Sequence, residues 1–248
     1  AAPTRYGCPF LFPYANRIAG ETMVWEGRTY RVDPPRHGLL RHSAWRTVVA
    51  AESSITCETE VTPRGGDTFP FHFRARATYT LDGKGLTILL HVENLGRSFP
   101  YSCGFHPYLA VNEDRPVTLA LPFRKYAELN ADVIPTGVFH DVVGRYDFLP
   151  PGRPLICDQV YDDLFTDARD LQGGEVSCRV RWQNLLPRND HFETTVEFSP
   201  YEFPYLCLYT PPNRKTVCIE PYTALTDAVH HLDDATGGIR ILKEGDEA

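Results

Sequence analysis

Between Phe71 and Glu93 the chain alternates apolar and polar residues with a period of two, and this confines it to β structure. Phe71, Phe73, Ala75, Ala77, Tyr79 and Leu81 alternate with His72, Arg74, Arg76, Thr78 and Thr80. A strand written this way has one apolar face that must be buried. Asp82-Gly83-Lys84-Gly85 supplies turn chemistry. Leu86, Ile88, Leu90 and Val92 then alternate with Thr87, Leu89, His91 and Glu93, completing an antiparallel hairpin. Ile55–Val61, Val117–Leu121, Val176–Trp182, Phe192–Phe198, Tyr205–Tyr209, Thr216–Glu220 and Ile239–Leu242 read as further strands. Trp25-Glu26-Gly27-Arg28 reads as another hairpin turn.

No segment sustains an apolar period of 3.6, and 21 prolines and 18 glycines interrupt the chain. Helix is expected only as short pieces, at Thr226–Leu232 and as one turn in Ala127–Asn130. Many short strands with almost no helix predict an all-β fold, an antiparallel sandwich or barrel. With no repeat, low-complexity segment or linker, residues 1–248 read as a single domain. The 42% hydrophobic content is ample for a packed core.

Charge narrows the partners. Lys and Arg number 25 against 32 Asp and Glu, a net charge of −7, which argues against nucleic acid. An anionic substrate would have to meet a local cluster of arginines. No apolar run approaches the roughly 20 residues of a membrane span, and the N-terminus has no signal-peptide pattern. The seven cysteines show no CxxC spacing and read as reduced, buried thiols. A cytoplasmic location is the expectation, with no membrane partner.

Several segments pair a chemically active residue with proline, glycine or aromatics. In VCIEPYTA, Val217 to Ala224, a strand is expected to end on Glu220, with Pro221 stopping the ladder and fixing the acid as a general base. In GFHPY, Pro107 restricts His106 to extended geometry, suiting it to acid–base work near neutral pH. His37 precedes Gly38, which permits close backbone approach. Asn16-Arg17 follows the aromatic, proline-rich loop that starts at Gly7, and Arg17 offers a planar fork of donors. In Tyr161-Asp162-Asp163-Leu164-Phe165 a carboxylate facing a pocket would accept several sugar hydroxyls. Taken singly, the acids and Arg17 are better explained as a surface acid or a salt-bridged arginine; His37 reads equally as structural or functional, and His106 reads first as functional. Phe12, Tyr14, Phe105 and Tyr108 serve equally as core or as an apolar platform under a sugar ring.

Together these segments resemble the aldose 1-epimerase, or galactose mutarotase-like, family. Its pattern has an Asn-Arg pair, His-Gly-x-x-Arg, His-x-Tyr, Asp-x-x-Phe and Glu-Pro-x-Thr. Here Asn16-Arg17, His37-Gly38-Leu39-Leu40-Arg41, His106-Pro107-Tyr108, Asp162-Asp163-Leu164-Phe165 and Glu220-Pro221-Tyr222-Thr223 follow in that order. The resemblance implies an antiparallel β-supersandwich and interconversion of the anomers of a free aldose, without a cofactor. It implies Glu220 as base, His106 as acid and His37 as an auxiliary donor. Arg17 and Asp162 would hold sugar hydroxyls, with Asn16 and Tyr108 beside them.

The chain also departs from the pattern. Family members carry strands before the Asn-Arg loop, and almost none are expected here. Asp163 stands where galactose mutarotases often have His, and Leu109-Ala110-Val111 replaces the commoner aromatic-Asn-Leu. Both changes point away from galactose specificity and towards a less-characterised bacterial branch. Alternatives are a hexose-6-phosphate epimerase using Arg5, Arg17, Arg36 and Arg41, or a carbohydrate-binding protein without turnover. A metal set of His37, His106 and Glu220 lacks HxH or HExxH spacing, so no metal is expected. The expected partner is a small sugar, and the expected state a monomer or homodimer.

Overall fold

A computed structural model describes residues 6–63, 68–111, 117–155, 159–169, 171–182, 192–232 and 237–248. Its framework is antiparallel β-sheet. An eight-stranded sheet runs in the order Phe10–Leu11, Gly104–Phe105, Thr216–Tyr222, Tyr205–Tyr209, Asp162–Ala168, Phe123–Leu129 and Pro135–Asp141, and Tyr108–Ala110 also pairs with Thr216–Tyr222. A four-stranded sheet of Arg153–Pro154, Val117–Ala120, Val176–Trp182 and Phe192–Phe198 packs against it. Another four-stranded sheet is formed by Arg46–Ala50, Ser54–Val61, Phe73–Leu81 and Leu86–Asn94. Two-stranded pairs join Thr22–Trp25 to Arg28–Arg31, and Arg240–Leu242 to Phe99–Tyr101. Among the described residues no helix is long and apolar enough to cross a membrane.

The alternation read from the sequence sets the burial. The Phe73–Leu81 and Leu86–Asn94 strands pair in unbroken register from Phe73↔Asn94 to Leu81↔Leu86. Phe73, Ala75, Ala77 and Val92 face a core built from Phe12, Phe69, Phe71 and Phe99. Each such large apolar side chain contributes roughly 1.5–3 kcal/mol by leaving water. In Val176–Trp182 the buried residues are Val176, Cys178, Val180 and Trp182, while Ser177, Arg179 and Arg181 point away.

The large sheet separates two environments. Val217 and Ile219, with Leu206, Leu208 and Phe165 on the adjoining strands, form the apolar layer shared with the sheet of Val176–Trp182. On the opposite face, Tyr222, Cys207, Tyr205 and Leu164 are covered by Leu11 and Ala15 of the N-terminal loop. Polar side chains gather on this second face.

Three local expectations are corrected. The strand expected to stop at Glu220 continues through Pro221 to Tyr222, with Pro221 opposite Leu206. Thr223 N bonds Cys103 O, so by alternation the donor missing at Pro221 faces the same side, towards Phe105 where the short strand Gly104–Phe105 ends. The turn expected at Ala127–Asn130 is instead the end of the Phe123–Leu129 strand; its register shifts after Ala127, and the Asn130 side chain accepts from Asp132 N and Ile134 N. The helical stretch expected at Thr226–Leu232 shrinks to one 3-10 turn, Ala228–His230.

Candidate active site

The sheet register brings the principal acid and histidine together. Gly104 lies opposite Tyr222 and Tyr108 opposite Cys218, so position 106 falls across from position 220. The chain between the short strands Gly104–Phe105 and Tyr108–Ala110 departs from regular pairing, with His106 N donating to Pro9 O at 3.0 Å. His106 Nε2 ends 3.3 Å from Glu220 Oε1. The Tyr222 hydroxyl, on the same face of the strand, donates to Glu220 Oε2 at 2.5 Å. The Tyr108 ring stacks on His106 at 4.5 Å between centroids, and its hydroxyl lies 3.4 Å from His106 Nε2.

The second histidine arrives by another route. His37 and Gly38 both adopt positive φ, 66° and 67°. A Cβ on Gly38 would stand 2.2 Å from Phe12 O, so only glycine fits there. The resulting turn lets Leu39 N bond Phe12 O at 2.7 Å and His37 N bond Asn16 O at 2.6 Å. It places the His37 ring edge-on to His106 at 5.3 Å between centroids. Asn16, itself at φ 54°, turns its Oδ1 to Arg17 Nε at 3.1 Å. Arg17 then reaches Asp162 Oδ2 at 2.8 Å.

Strand alternation also separates the two adjacent acids. Asp162 pairs with Tyr209 and Asp163 with Leu208. Asp162 therefore shares the face of Tyr209 and Cys218, whereas Asp163 turns to the opposite side and binds Tyr146 and Arg145. Arg17, Asn16, His37, His106, Tyr108, Asp162 and Glu220 are thus linked by close contacts at one face of the large sheet. Of the aromatics considered as a platform, Tyr108 alone faces the histidines. Phe12 and Tyr14 lie in the core, and Phe105 packs on Phe10 and Phe203. Arg5 lies outside the described residues.

Burial governs the charge states. It pushes the Glu220 carboxyl well above its ordinary value, against the Tyr222 bond and the nearby Arg41 and Arg17, which favour the anion. It draws His106 down to about 3, with Arg41 adding to the effect. His37 is also held well below its ordinary value, first by burial and then by His106, Arg41, Arg36 and Arg17. Burial therefore favours the neutral forms of Glu220 and of both imidazoles.

Sequence reasoning missed Tyr222 and Cys218. The signal was present: in a strand that continues past Pro221, residues 218, 220 and 222 share one face. Assigning Pro221 as a terminator concealed Tyr222, whereas Cys218 already lay in the expected strand Thr216–Glu220 and was read only as a buried thiol.

The comparisons with known proteins agree with this architecture. A family model described as aldose 1-epimerase matches residues 1–247. Over 117 residues the chain is 31% identical to the uncharacterized Escherichia coli (strain K12) protein YphB, a match spanning 44% of this chain and 39% of that one. Over 255 residues it is 25% identical to the chromosomal LacX protein of Lactococcus lactis subsp. lactis, spanning 94% of this chain and 80% of that one. In three dimensions it is similar to a galactose mutarotase-like protein from Clostridium acetobutylicum, with a TM-score of 0.78 and 21% identity over 99% of this chain and 78% of the other.

Proposed function

This chain belongs to the aldose 1-epimerase family, and on that premise we propose that it interconverts the α and β anomers of a free aldose. The observation that carries the reading is the 3.3 Å approach of His106 Nε2 to Glu220 Oε1, beside the Arg17–Asp162 pair. Ring opening needs a base at the anomeric hydroxyl and an acid at the ring oxygen. Glu220 takes the proton from O1 while His106 gives one to O5; the C1–O5 bond breaks as the C1=O1 bond forms. The aldehyde turns about C1–C2. The O5 hydroxyl then attacks the other face of C1, returns its proton to His106, and O1 recovers a proton from Glu220. Atoms, electrons and protons balance without any further group.

The reaction calls for one proton shared by the pair. Burial supplies that count by opposing a second charge on either residue. Sugar hydroxyls donating to the carboxylate shift the proton to His106 across the short contact, which arms both groups at once. Tyr222 keeps the carboxylate aimed, and neutral His37 stands ready to hydrogen-bond the sugar.

Arg17 and Asp162 hold the sugar by its hydroxyls. Replacing Arg17 with alanine is expected to raise KM by roughly 10- to 100-fold, as expected for lost charge-assisted hydrogen bonds, with a smaller change in kcat. Steady-state polarimetry reads both constants, and an unchanged KM would remove Arg17 from the binding role.

The direct test is polarimetry on freshly dissolved α-D-glucose and α-D-galactose. The expected result is faster relaxation to the same final rotation, and no acceleration with any aldose would overturn the proposal. A second reading has one observation in its favour. Arg17, Arg36 and Arg41 all act on His37 in a chain of net charge −7, a local field suited to a hexose 6-phosphate. A higher kcat/KM on glucose 6-phosphate than on glucose would select it.

A further inference from the structure

The floor of the site carries a thiol that the proposed reaction does not use. Cys218 lies two residues before Glu220 on the same strand and so on the same face. Its cross-strand neighbours are Tyr108 and Tyr209, which rise on either side. One ligand atom each from His106, Cys218 and Glu220 lies within 4.8 Å of the other two. We infer that these three side chains form a binding site for a thiophilic divalent cation of the zinc class, and that occupancy blocks the acid–base pair.

The donor set selects the ion. Zinc takes imidazole nitrogen, thiolate sulfur and carboxylate oxygen at about 2.0–2.3 Å, in a tetrahedron whose corners stand roughly 3–4 Å apart. The three donors, now within 4.8 Å of one another, must close by about 1 Å at most to reach that spacing. His106 Nδ1 is buried without a hydrogen-bond partner among the described residues, so the ring turns without breaking a bond there. Thiolate and carboxylate together neutralise the charge of the ion. Magnesium and calcium require six or more oxygens and find one carboxylate here.

Binding exchanges two protons, that of Cys218 and the one held by the His106–Glu220 pair, both released to buffer, for the cation. The ion occupies the nitrogen and oxygen lone pairs that ring opening requires. Inhibition therefore rests on the function proposed above, while binding does not.

Cobalt(II) serves as the probe, because a thiolate ligand gives it a near-ultraviolet charge-transfer band and tetrahedral geometry gives intense visible bands. Metal-free protein titrated with cobalt is expected to show both, and zinc to displace them at one equivalent. Cys218→Ser is expected to lose the charge-transfer band and to bind zinc at least about 10- to 100-fold more weakly, whereas Cys8→Ser keeps the band; loss of a direct ligand costs no less than loss of an outer-shell partner. Absence of the band in the wild-type protein, or its survival in Cys218→Ser, overturns the assignment. Should Cys218→Ser fail to fold, Glu220→Gln decides by calorimetry, since zinc affinity equal to wild type also overturns it. With sugar present, stoichiometric zinc is expected to suppress anomer exchange, and full activity of the zinc-loaded protein removes the inhibitory half. A cobalt band in a protein inactive on every aldose leaves the metal site standing and removes the functional proposal instead.

Discussion

Glu220→Gln is expected to lower kcat for anomer exchange by roughly 10²–10⁴-fold, the usual share of a positioned acid–base group, while leaving the fold in place. The amide matches the carboxyl in shape, and its oxygen still accepts from Tyr222, which now bonds Oε2 at 2.5 Å. Because burial already favours the neutral form of this acid, little charge–charge stabilisation is lost on substitution. The amide cannot take the O1 proton. Polarimetry or NMR exchange measures the rate, and a circular dichroism melt checks the fold. Full activity in this variant would exclude Glu220 as the base.

The largest effect on stability is expected from Gly38→Ala. The residue sits at φ +67°, where a side chain costs about 1–2 kcal/mol. The added Cβ would also stand 2.2 Å from Phe12 O and 2.4 Å from its carbonyl carbon, both backbone atoms that cannot swing aside. That carbonyl already receives Leu39 N, so moving it breaks the turn that carries His37. A loss of about 3 kcal/mol or more is expected, lowering Tm by roughly 6–12 °C for a chain of this size, together with reduced kcat. Gly27→Ala is the control: φ is +73° but nothing lies within 4 Å of its Cβ. It should cost only the backbone term, about 1–2 kcal/mol. Equal melting shifts in the two variants would show that the overlap with Phe12 carries no weight.

How much of this was legible in the sequence depended on whether local chemistry or distant pairing did the positioning. The Phe73–Leu81 and Leu86–Asn94 hairpin was readable because alternation and turn residues specify it locally. The residues of the site were readable only through their motifs, since no local pattern states that position 106 lies across from 220. That relation comes from the register of two short strands on either side of an irregular step. The choice of Asp162 over Asp163 came from the motif alone; the physical separation of the two acids needed the strand pairing with Tyr209 and Leu208. Tyr222 was missed because proline was read as a terminator, and the end of a ladder tolerates it; Cys218 was missed because a thiol inside the expected strand was read as core. The aromatic residues after Gly7 were ambiguous because nothing local distinguishes a ring that packs on Phe73, as Phe12 does, from one that faces a ligand.

The strand Thr216–Tyr222 joins segments that are remote along the chain: Gly104–Phe105 and Tyr108–Ala110 on one side, Tyr205–Tyr209 on the other. Its contacts with the histidine segment close a loop of more than a hundred residues, and such long closures are slow steps in folding. The N-terminal loop that brings Asn16 and Arg17 packs Phe12 on the hairpin sheet but Leu11 and Ala15 over this strand, so its docking surface is complete only once the strand is in place. During refolding, the hairpin of Phe73–Leu81 and Leu86–Asn94 can form early from local contacts. Catalytic competence is therefore a property of the last assembly step, and recovered activity should lag recovered β-sheet signal.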